Sequence, residues 1–219
     1  MDAVNLQGQP LVSRRDRDIW LGWVVYTILG YFILGAVTIA VIRFAPGGLL
    51  LGAVVGPLGM VVVALMQWFV LRGYIPAVRW LGWLLSTVLG QLVGMIMAVL
   101  VAVLLAPRIY LMLGGWQANI GGAVEFATAL VRGVIFGLVI GFMQWLILRR
   151  YLQAAGWWVL AVTVAMAITS VISTLWLPDV GQEGFVALPL TMSVTGVIVG
   201  AITGLVLTWL LRKPLKTRS

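Results

Sequence analysis

Six long apolar runs make up most of the chain, and short segments rich in charge, proline or glycine separate them. The runs cover residues 19–42, 49–71, 80–106, 126–148, 157–177 and 188–211. Each is long enough, at about 20 residues or more, to cross the hydrocarbon core of a bilayer as an α-helix. The pattern therefore predicts an all-α integral membrane protein, with six transmembrane helices in a single domain over residues 19–213.

The composition agrees with a membrane protein and excludes an ordinary soluble domain. Hydrophobic residues make up 63% of the chain and charged residues 9%, and the mean hydropathy is +1.13, whereas soluble domains carry about 25% charged residues. Histidine and cysteine are both absent from the sequence, which removes the usual ligands of zinc, haem and iron–sulfur clusters. We therefore expect no cofactor and no metal, and no sequence motif predicts catalysis.

Basic residues gather on one side of the predicted spans. Of the 14 lysines and arginines, 11 fall on that side: Arg14, Arg15, Arg17, Arg72, Arg79, Arg149, Arg150, Arg212, Lys213, Lys216 and Arg218. Because basic residues near span ends are retained in the cytoplasm, we expect residues 1–18 and 214–219 to be cytoplasmic, and the helices to lie in a bacterial inner or internal membrane. The formal net charge of +8 is spread over four segments beside the spans, which favours anionic lipid over nucleic acid as a partner.

One phrase recurs three times, at residues 56–72, 133–149 and 196–212. When the copies are aligned on their last arginine, small residues recur 16, 12 and eight positions earlier, and Met60 interrupts the pattern in the first copy. Residues four apart share one face of a helix, and small ones there let a neighbouring helix approach closely. We therefore predict a glycine zipper for helix packing at Gly56, Gly133, Gly137, Gly141, Gly196, Gly200 and Gly204.

The helices between these copies repeat as well. The motif Trp-Leu-Gly-Trp at 20–23 recurs at 80–83, with threonine and glycine following at the same spacing in both. Residues 156–158, Gly-Trp-Trp, are a weaker match to the same motif. Two crossings per copy would give all copies the same orientation, as in parallel repeats about an axis near the membrane normal. The sequence thus predicts three pseudo-repeated helical hairpins, at about 19–73, 79–150 and 156–213, each entering the membrane at a tryptophan-rich cytoplasmic edge.

The end of each phrase carries residues typical of a membrane interface. Tryptophan comes shortly before the last arginine in all three copies, and glutamine precedes the tryptophan in two. The recurring glutamines predict a repeated helix contact or a water-exposed cap, and a ligand role is the less favoured alternative. The predicted interfacial anchors are Gln67, Trp68, Arg72, Gln144, Trp145, Arg149, Trp209 and Arg212.

The second phrase and the residues after it carry a family resemblance. The pattern Gly137-x-x-x-Gly141-x-x-Gln144-Trp145-x-x-Leu148-Arg149-Arg150, followed by Ala155-Gly156-Trp157-Trp158, resembles a functionally uncharacterised family of bacterial multi-pass membrane proteins, common in cyanobacteria and Chloroflexi. The stretch 200–212 looks like the usual C-terminal end of that family, whereas Gly73 departs from the arginine expected after Arg72. The resemblance covers most of the chain and implies the fold without implying any chemistry.

Three polar residues are candidates for a path through the membrane. Arg132 lies well inside a predicted span, roughly 25 Å along the helix from Arg149 and near the far edge of the hydrocarbon core. A structural or topological role is favoured for it, although a charged residue inside a span is by default a functional candidate. Glu125, seven residues earlier, could share an aqueous mouth with it. Gln91, in the middle of the third span, could line the same path, and a hydrogen bond to a neighbouring helix is the simpler expectation.

Two further segments have alternative interpretations. The fifth span carries hydroxyl groups that could hydrate a cavity, although hydrogen bonds to carbonyls of their own helix are favoured: Thr169, Ser170, Ser173 and Thr174. The connection at 107–125 mixes apolar residues with glycines, and we expect it to lie along the outer membrane surface. It could also dock a partner.

The sequence leaves three functional classes open. A structural or accessory subunit, packing against itself or against a larger membrane complex, is favoured because the spans hold few polar groups. A transporter or channel for a small solute, ion or lipid, with its path along the pseudo-threefold axis, is the alternative. An intramembrane enzyme is not expected, since it would need a paired acid and base or a metal site.

Overall fold

The computed structural model describes residues 14–45, 48–112, 121–176 and 184–214, and the regular elements within them are all α-helices. They are α1 (Arg14–Phe44), α2 (Gly48–Tyr74), α3 (Trp80–Met112), α4 (Gly121–Leu148), α5 (Gly156–Trp176) and α6 (Gly184–Leu211). The six apolar runs and the six helices correspond in order. The ends differ most at Pro107, where a connection was predicted and α3 instead continues for another turn, because an internal proline removes one backbone hydrogen bond without necessarily ending a helix. Residues 121–125 of that connection belong to α4, and 113–120 lie outside the described residues.

Five helices are long and apolar enough to cross a membrane. They are Arg15–Phe44, Trp80–Val101, Gly122–Leu148, Gly156–Thr174 and Leu188–Leu211. The apolar part of α2 within the described residues, Leu58–Tyr74, is shorter. The chain therefore has the helices of a multi-pass membrane protein, and their outer surfaces present large apolar side chains suited to contact with lipid.

The helices form a closed ring. Each packs against the next one along the chain, and α6 packs against α1. The interfaces α1–α6, α4–α5, α3–α4 and α1–α2 are extensive, whereas α5–α6 and α2–α3 are smaller. Since the substantial contacts join ring neighbours, the axis of the ring is left for side chains from all six helices.

Glycines lie at two of the extensive interfaces, α4–α5 and α1–α6. A Cβ atom added to Gly137 on α4 would lie 2.6 Å from the Cα atom of Thr163 on α5, and one added to Gly196 on α6 would lie 2.8 Å from the Cα atom of Ile28 on α1. Real Cβ atoms essentially never approach backbone atoms this closely, so these helices can reach their separation only with glycine. The same faces carry Gly133, Gly141, Gly200 and Gly204, each of which contacts the same partner helix as its neighbours.

Glycine also brings two helix pairs together within the predicted hairpins. A Cβ atom on Gly30 of α1 would lie 2.9 Å from the Cα atom of Val63 on α2, and one on Gly90 of α3 would lie 3.1 Å from the Cα atom of Ile140 on α4. Gly30 and Gly90 come seven residues after Trp23 and Trp83, whereas Ala165 stands seven residues after Trp158. The alanine falls on α5, whose contact with α6 is one of the two smaller interfaces.

The other small interface, α2–α3, follows the interruption in the glycine pattern. Where α4 and α6 carry glycine, α2 carries Met60 and Ala64. Gly56 does not pack against a helix as the sequence suggested: among the described residues, nothing lies within 4 Å of a Cβ atom built on it, and it lines a central cavity. The larger side chains of α2 therefore occur on the helix whose interface with α3 is small, and we call this small interface the α2–α3 seam.

One end of the ring carries a belt of cations and aromatic rings, and we call it the basic end. The Arg72 guanidinium lies 5.2 Å from the ring centroid of Trp68, that of Arg149 lies 4.7 Å from Trp145, and the Lys213 ammonium lies 3.8 Å from Trp209. Arg212 also forms a 2.9 Å ion pair with Asp16, which joins the end of α6 to the start of α1. Such rings and cations are typical of a membrane–water interface.

We expect Gly137→Ala to destabilise the protein, because the added methyl group meets the backbone of α5 at Thr163 and the helices must separate. Overpacking of this kind costs about 1–3 kcal/mol, and thermal unfolding in mild detergent measures the loss. Gly22→Ala is the matched control, since nothing lies within 4 Å of its Cβ position among the described residues. Equal melting temperatures for the two variants would contradict the packing role of Gly137.

Candidate functional site: a cavity on the ring axis

A cavity of about 470 Å³ lies on the axis of the ring, and all six helices line it. Its position is in the half of the ring away from the basic end, because its lining includes Leu188, close to the start of α6, and Ser173, close to the end of α5. A volume of this size falls within the range of about 300–1,000 Å³ that is usual for small-molecule sites.

The lining is apolar over most of its surface. Four methionines contribute flexible thioether side chains, and Leu34, Phe136 and Leu188 add larger apolar surfaces. The methionines are Met60, Met95, Met166 and Met192. Because methionine is unbranched and polarizable, it adapts to ligands of different shapes.

The structure brings two of the three predicted path residues into this cavity. Arg132 and Gln91 both line it, and neither forms an ion pair or hydrogen bond within the described part of the chain. The simpler expectation for Gln91, a hydrogen bond to a neighbouring helix, is therefore wrong within that part. Glu125 is exposed near the start of α4 and is not among the lining residues.

The hydroxyl-bearing residues singled out on α5 differ in their hydrogen bonds and in whether they line the cavity. Thr169 and Thr174 donate hydrogen bonds to carbonyl oxygens of their own helix, at 3.1 and 3.0 Å, as the sequence favoured. Thr169, Ser170 and Ser173 line the cavity. Ser170 lies against α4, since a Cβ atom on Gly133 would be 2.7 Å from the Cβ atom of Ser170. This contact places a serine hydroxyl beside the helix turn that carries Arg132.

The cavity ends, toward the basic end, at Tyr31, Met60 and Met166. These three side chains also line a second cavity of about 20 Å³, and so they lie between the two spaces. The second cavity is bordered by Gln67 and Gln144 and has room for about one water molecule.

Three tryptophans close the axis beyond the second cavity. Trp23, Trp83 and Trp158 are all buried, with at most 1% of each residue exposed. Their rings meet edge to face, with centroid distances of 6.4 Å for Trp23–Trp83, 5.6 Å for Trp23–Trp158 and 6.1 Å for Trp83–Trp158. Edge-to-face pairs at such distances are the favoured geometry of aromatic rings. The sequence interpretation expected a tryptophan-rich edge at the membrane interface and missed this layer, although the equal spacing of Trp23 and Trp83 before Thr27 and Thr87 was the available signal.

Hydrogen bonds tie two of these indoles to neighbouring helices. Trp158 Nε1 donates to Gln144 Oε1 at 2.9 Å, and Gln144 Nε2 donates to Thr87 Oγ1 at 3.1 Å. Trp23 Nε1 donates to Thr203 Oγ1 at 2.8 Å. The polar layer therefore joins α5 to α4, α4 to α3, and α1 to α6.

Among the described residues, Gln67 does not form the corresponding bonds, which would join it to Trp83 across the α2–α3 interface and to Thr27 across the α1–α2 interface. Trp83 Nε1, Gln67 Oε1 and Thr27 Oγ1 are all buried without a hydrogen-bond partner among the described residues. Gln67 lies five residues before Arg72, just as Gln144 lies five residues before Arg149. Gln67, Trp83 and Thr27 therefore correspond in the repeat to Gln144, Trp158 and Thr87, which are hydrogen-bonded. The unmade bond between Trp83 and Gln67 would lie at the small α2–α3 interface, and the one between Gln67 and Thr27 at the α1–α2 interface.

The structure corrects one prediction made for Gln67 and Gln144. The sequence grouped them with the interfacial anchors, but they are 5% and 4% exposed and lie in the interior. Gln144 makes the helix contact that was the first of its two predicted roles. Trp68, Arg72, Trp145, Arg149, Trp209 and Arg212 lie at the basic end, as the contacts above describe.

Within the described residues, no group of three or more acidic side chains is placed to hold a metal ion. Compared with models of protein families, with curated proteins and with solved structures, the chain shows no significant match in any of the three. The family resemblance of the 137–158 stretch therefore stays a prediction. What the protein does has to be argued from the cavity.

We expect Gln144→Met to lower the melting temperature in mild detergent more than Gln67→Met does. The first change leaves the buried Trp158 indole without its acceptor, and an unsatisfied buried donor costs about 1–3 kcal/mol. The second removes an oxygen that already lacks a partner, and so it should cost little or stabilise. If both variants lowered the melting temperature equally, Gln67 would be hydrogen-bonded in the membrane. That result would contradict the difference described here between the α4–α5 and α2–α3 interfaces.

Proposed function

We propose that the protein is a membrane transporter whose substrate path follows the axis of the six-helix ring. The observation that carries the proposal is a small-molecule-sized cavity lined by all six helices and closed toward the basic end by three tryptophans. A cavity reached from one face and closed at the other is the arrangement that alternating access requires of one of its states.

The path has three layers. A solute would enter the large cavity past Arg132, meet the constriction at Tyr31, Met60 and Met166, and then reach the polar layer and the tryptophans. The tryptophan layer is held by interhelical hydrogen bonds at Trp23 and Trp158 and lacks one at Trp83. We propose that the closed end opens at the α2–α3 seam, where packing is looser and the buried polar atoms are unpaired.

We further propose that the ring consists of three parallel hairpin repeats that span the membrane six times. Support comes from the recurring phrases in the sequence, from Trp23, Trp83 and Trp158 meeting on the axis, and from the basic residues beside the ends of α2, α4 and α6. With the basic end in the cytoplasm, both termini are cytoplasmic and the large cavity faces the opposite side. The setting is a bacterial cytoplasmic or internal membrane.

A structural or accessory subunit is the alternative that the sequence favoured. The glycine interfaces would serve such a role equally well, but they do not need a cavity that gathers Gln91, Arg132 and Ser170 on the axis. An enzyme is the class that the sequence did not favour, and it stays unfavoured here. Transport is therefore preferred to assembly and to catalysis.

We expect alkaline phosphatase fused after Lys213 to be inactive in bacterial cells, and the same reporter fused at Gly115, between α3 and α4, to be active. Phosphatase folds only outside the cytoplasm because it needs disulfides, and so the pair reports the two faces. If α2 did not cross the membrane while residues 1–13 stayed in the cytoplasm, both results would be reversed, with the Gly115 fusion inactive and the Lys213 fusion active. That result would overturn the proposal of six spans.

Cysteine accessibility tests the path, because the chain contains no cysteine and single variants report one site each. We expect Ser170→Cys, in the cavity, to react with a membrane-impermeant maleimide from the non-cytoplasmic side. Ser86→Cys is the matched control, since Ser86 is 8% exposed, hydrogen-bonds to the Trp83 carbonyl and does not line the cavity. It should stay unlabelled in the resting protein.

Transport further requires that Ser170→Cys also become reactive from the cytoplasmic side in inverted vesicles, at a slower rate set by the change of state. Labelling from neither side would indicate a dry packed centre and support a structural subunit instead. Labelling from the non-cytoplasmic side alone would indicate a binding site without passage.

A further inference from the structure

We infer that the cavity binds an anionic amphiphile, a molecule with an apolar body and a carboxylate or phosphate headgroup that pairs with Arg132. The inference rests on the proposed function in that both use the same cavity, and it names the substrate class. Three observations carry it: an arginine in the lining that has no ion-pair partner among the described residues, hydrogen-bond donors in the same lining, and apolar side chains over most of the remainder.

The first observation concerns charge. Arg132 brings a guanidinium to the cavity lining, and among the described residues no carboxylate lies within ion-pair distance of it. A cation inside a membrane span is unfavourable unless it is paired or hydrated. An anion in the cavity supplies the missing charge, and the planar guanidinium can bind both oxygens of a carboxylate or phosphate at once.

The second observation concerns the donors around the headgroup. Gln91 and the hydroxyls of Ser170 and Ser173 line the cavity and make no hydrogen bond within the described part of the chain. Ser170 lies against α4 at Gly133, next to Arg132. An amide and two hydroxyls can donate to the remaining lone pairs of an anionic group, which gives the headgroup more than one partner.

The third observation concerns the body of the ligand. Beyond these polar groups, the lining consists largely of apolar side chains, including Leu34, Phe136 and the methionines Met60, Met95, Met166 and Met192. Free inorganic anions gain nothing from such a surface, and a cationic amphiphile is repelled by Arg132. The flexible methionines favour tolerance of chain shape over selection of one chain.

The test is equilibrium binding of radiolabelled dodecanoate to the full-length protein in a neutral maltoside detergent, with competition by dodecyl phosphate, dodecanol and inorganic phosphate. We expect dodecanoate to bind stoichiometrically, dodecyl phosphate to compete, and dodecanol and inorganic phosphate to compete poorly. Competition by inorganic phosphate as effective as that by dodecyl phosphate would indicate a site for free anions and overturn the amphiphile. Dodecanol as effective as dodecanoate would indicate an apolar site without a headgroup partner and overturn the role of Arg132.

The matched variants separate the specific charge from general electrostatics. Arg132→Gln should weaken dodecanoate binding at least about tenfold, the scale of one lost charge-assisted hydrogen bond, and Arg132→Lys should retain part of it. Arg108→Gln should bind as the natural protein does, because Arg108 is an exposed arginine of α3 outside the cavity lining. An equal loss in Arg108→Gln would overturn the inference, and unchanged melting temperatures exclude misfolding as the cause.

Binding and transport can fail separately. Dodecanoate binding that depends on Arg132, together with Ser170→Cys accessibility from one side only, would uphold the ligand and reject transport. Two-sided accessibility without dodecanoate binding would uphold transport and reject this ligand class.

Discussion

Direct contact between helix backbones at glycine is the constraint on which the rest of the structure depends. In a bilayer, apolar side chains gain little by leaving lipid for a helix interface, and so close packing has to supply the attraction. Gly137 and Gly196 bring α4 onto α5 and α6 onto α1, while Gly30 and Gly90 draw in α2 and α4. Among the described residues, the α2–α3 and α5–α6 interfaces have no such glycine contact, and they are the two smaller interfaces. Glycine placement therefore sets which seams are tight, and through them the space left on the axis.

The contents of the axis follow from that geometry. Near the basic end, three indoles fill the space and need hydrogen-bond acceptors because a buried N–H without a partner is costly. Gln144 and Thr203 supply acceptors for Trp158 and Trp23, and Gln67 does not do so for Trp83. Farther along, smaller and more flexible side chains leave the large cavity open. A closed, hydrogen-bonded end and an open, mostly apolar end thus arise from one ring.

The sequence predicted the helices well and the site only in part. Apolar runs and their breaks locate six helices, because length and hydropathy determine what can cross a bilayer. The glycine spacing marked the packing faces, but spacing along one helix does not say which neighbour the face meets, and it could not show that Gly56 lines a cavity. Gln91 and Arg132 were singled out separately, and only the ring closure brings them together. The tryptophans were misplaced because the same residue suits an interface and a buried layer, and sequence alone does not distinguish the two.

The contact between α1 and α6 has a consequence for how the protein is made. Two contacts, Trp23 with Thr203 and Asp16 with Arg212, join α1 to α6 and to the residue after it, which lie far apart in the sequence. The interface between α1 and α6 is nevertheless one of the most extensive in the ring. During synthesis, at about 5–20 residues per second, the first helix enters the membrane long before the last one leaves the ribosome. The face of α1 that contacts the glycines of α6 therefore has to stay without α6 while the four intervening helices are synthesised. The ring therefore closes only as a final step, and until then the axis is open along its side to the surrounding lipid.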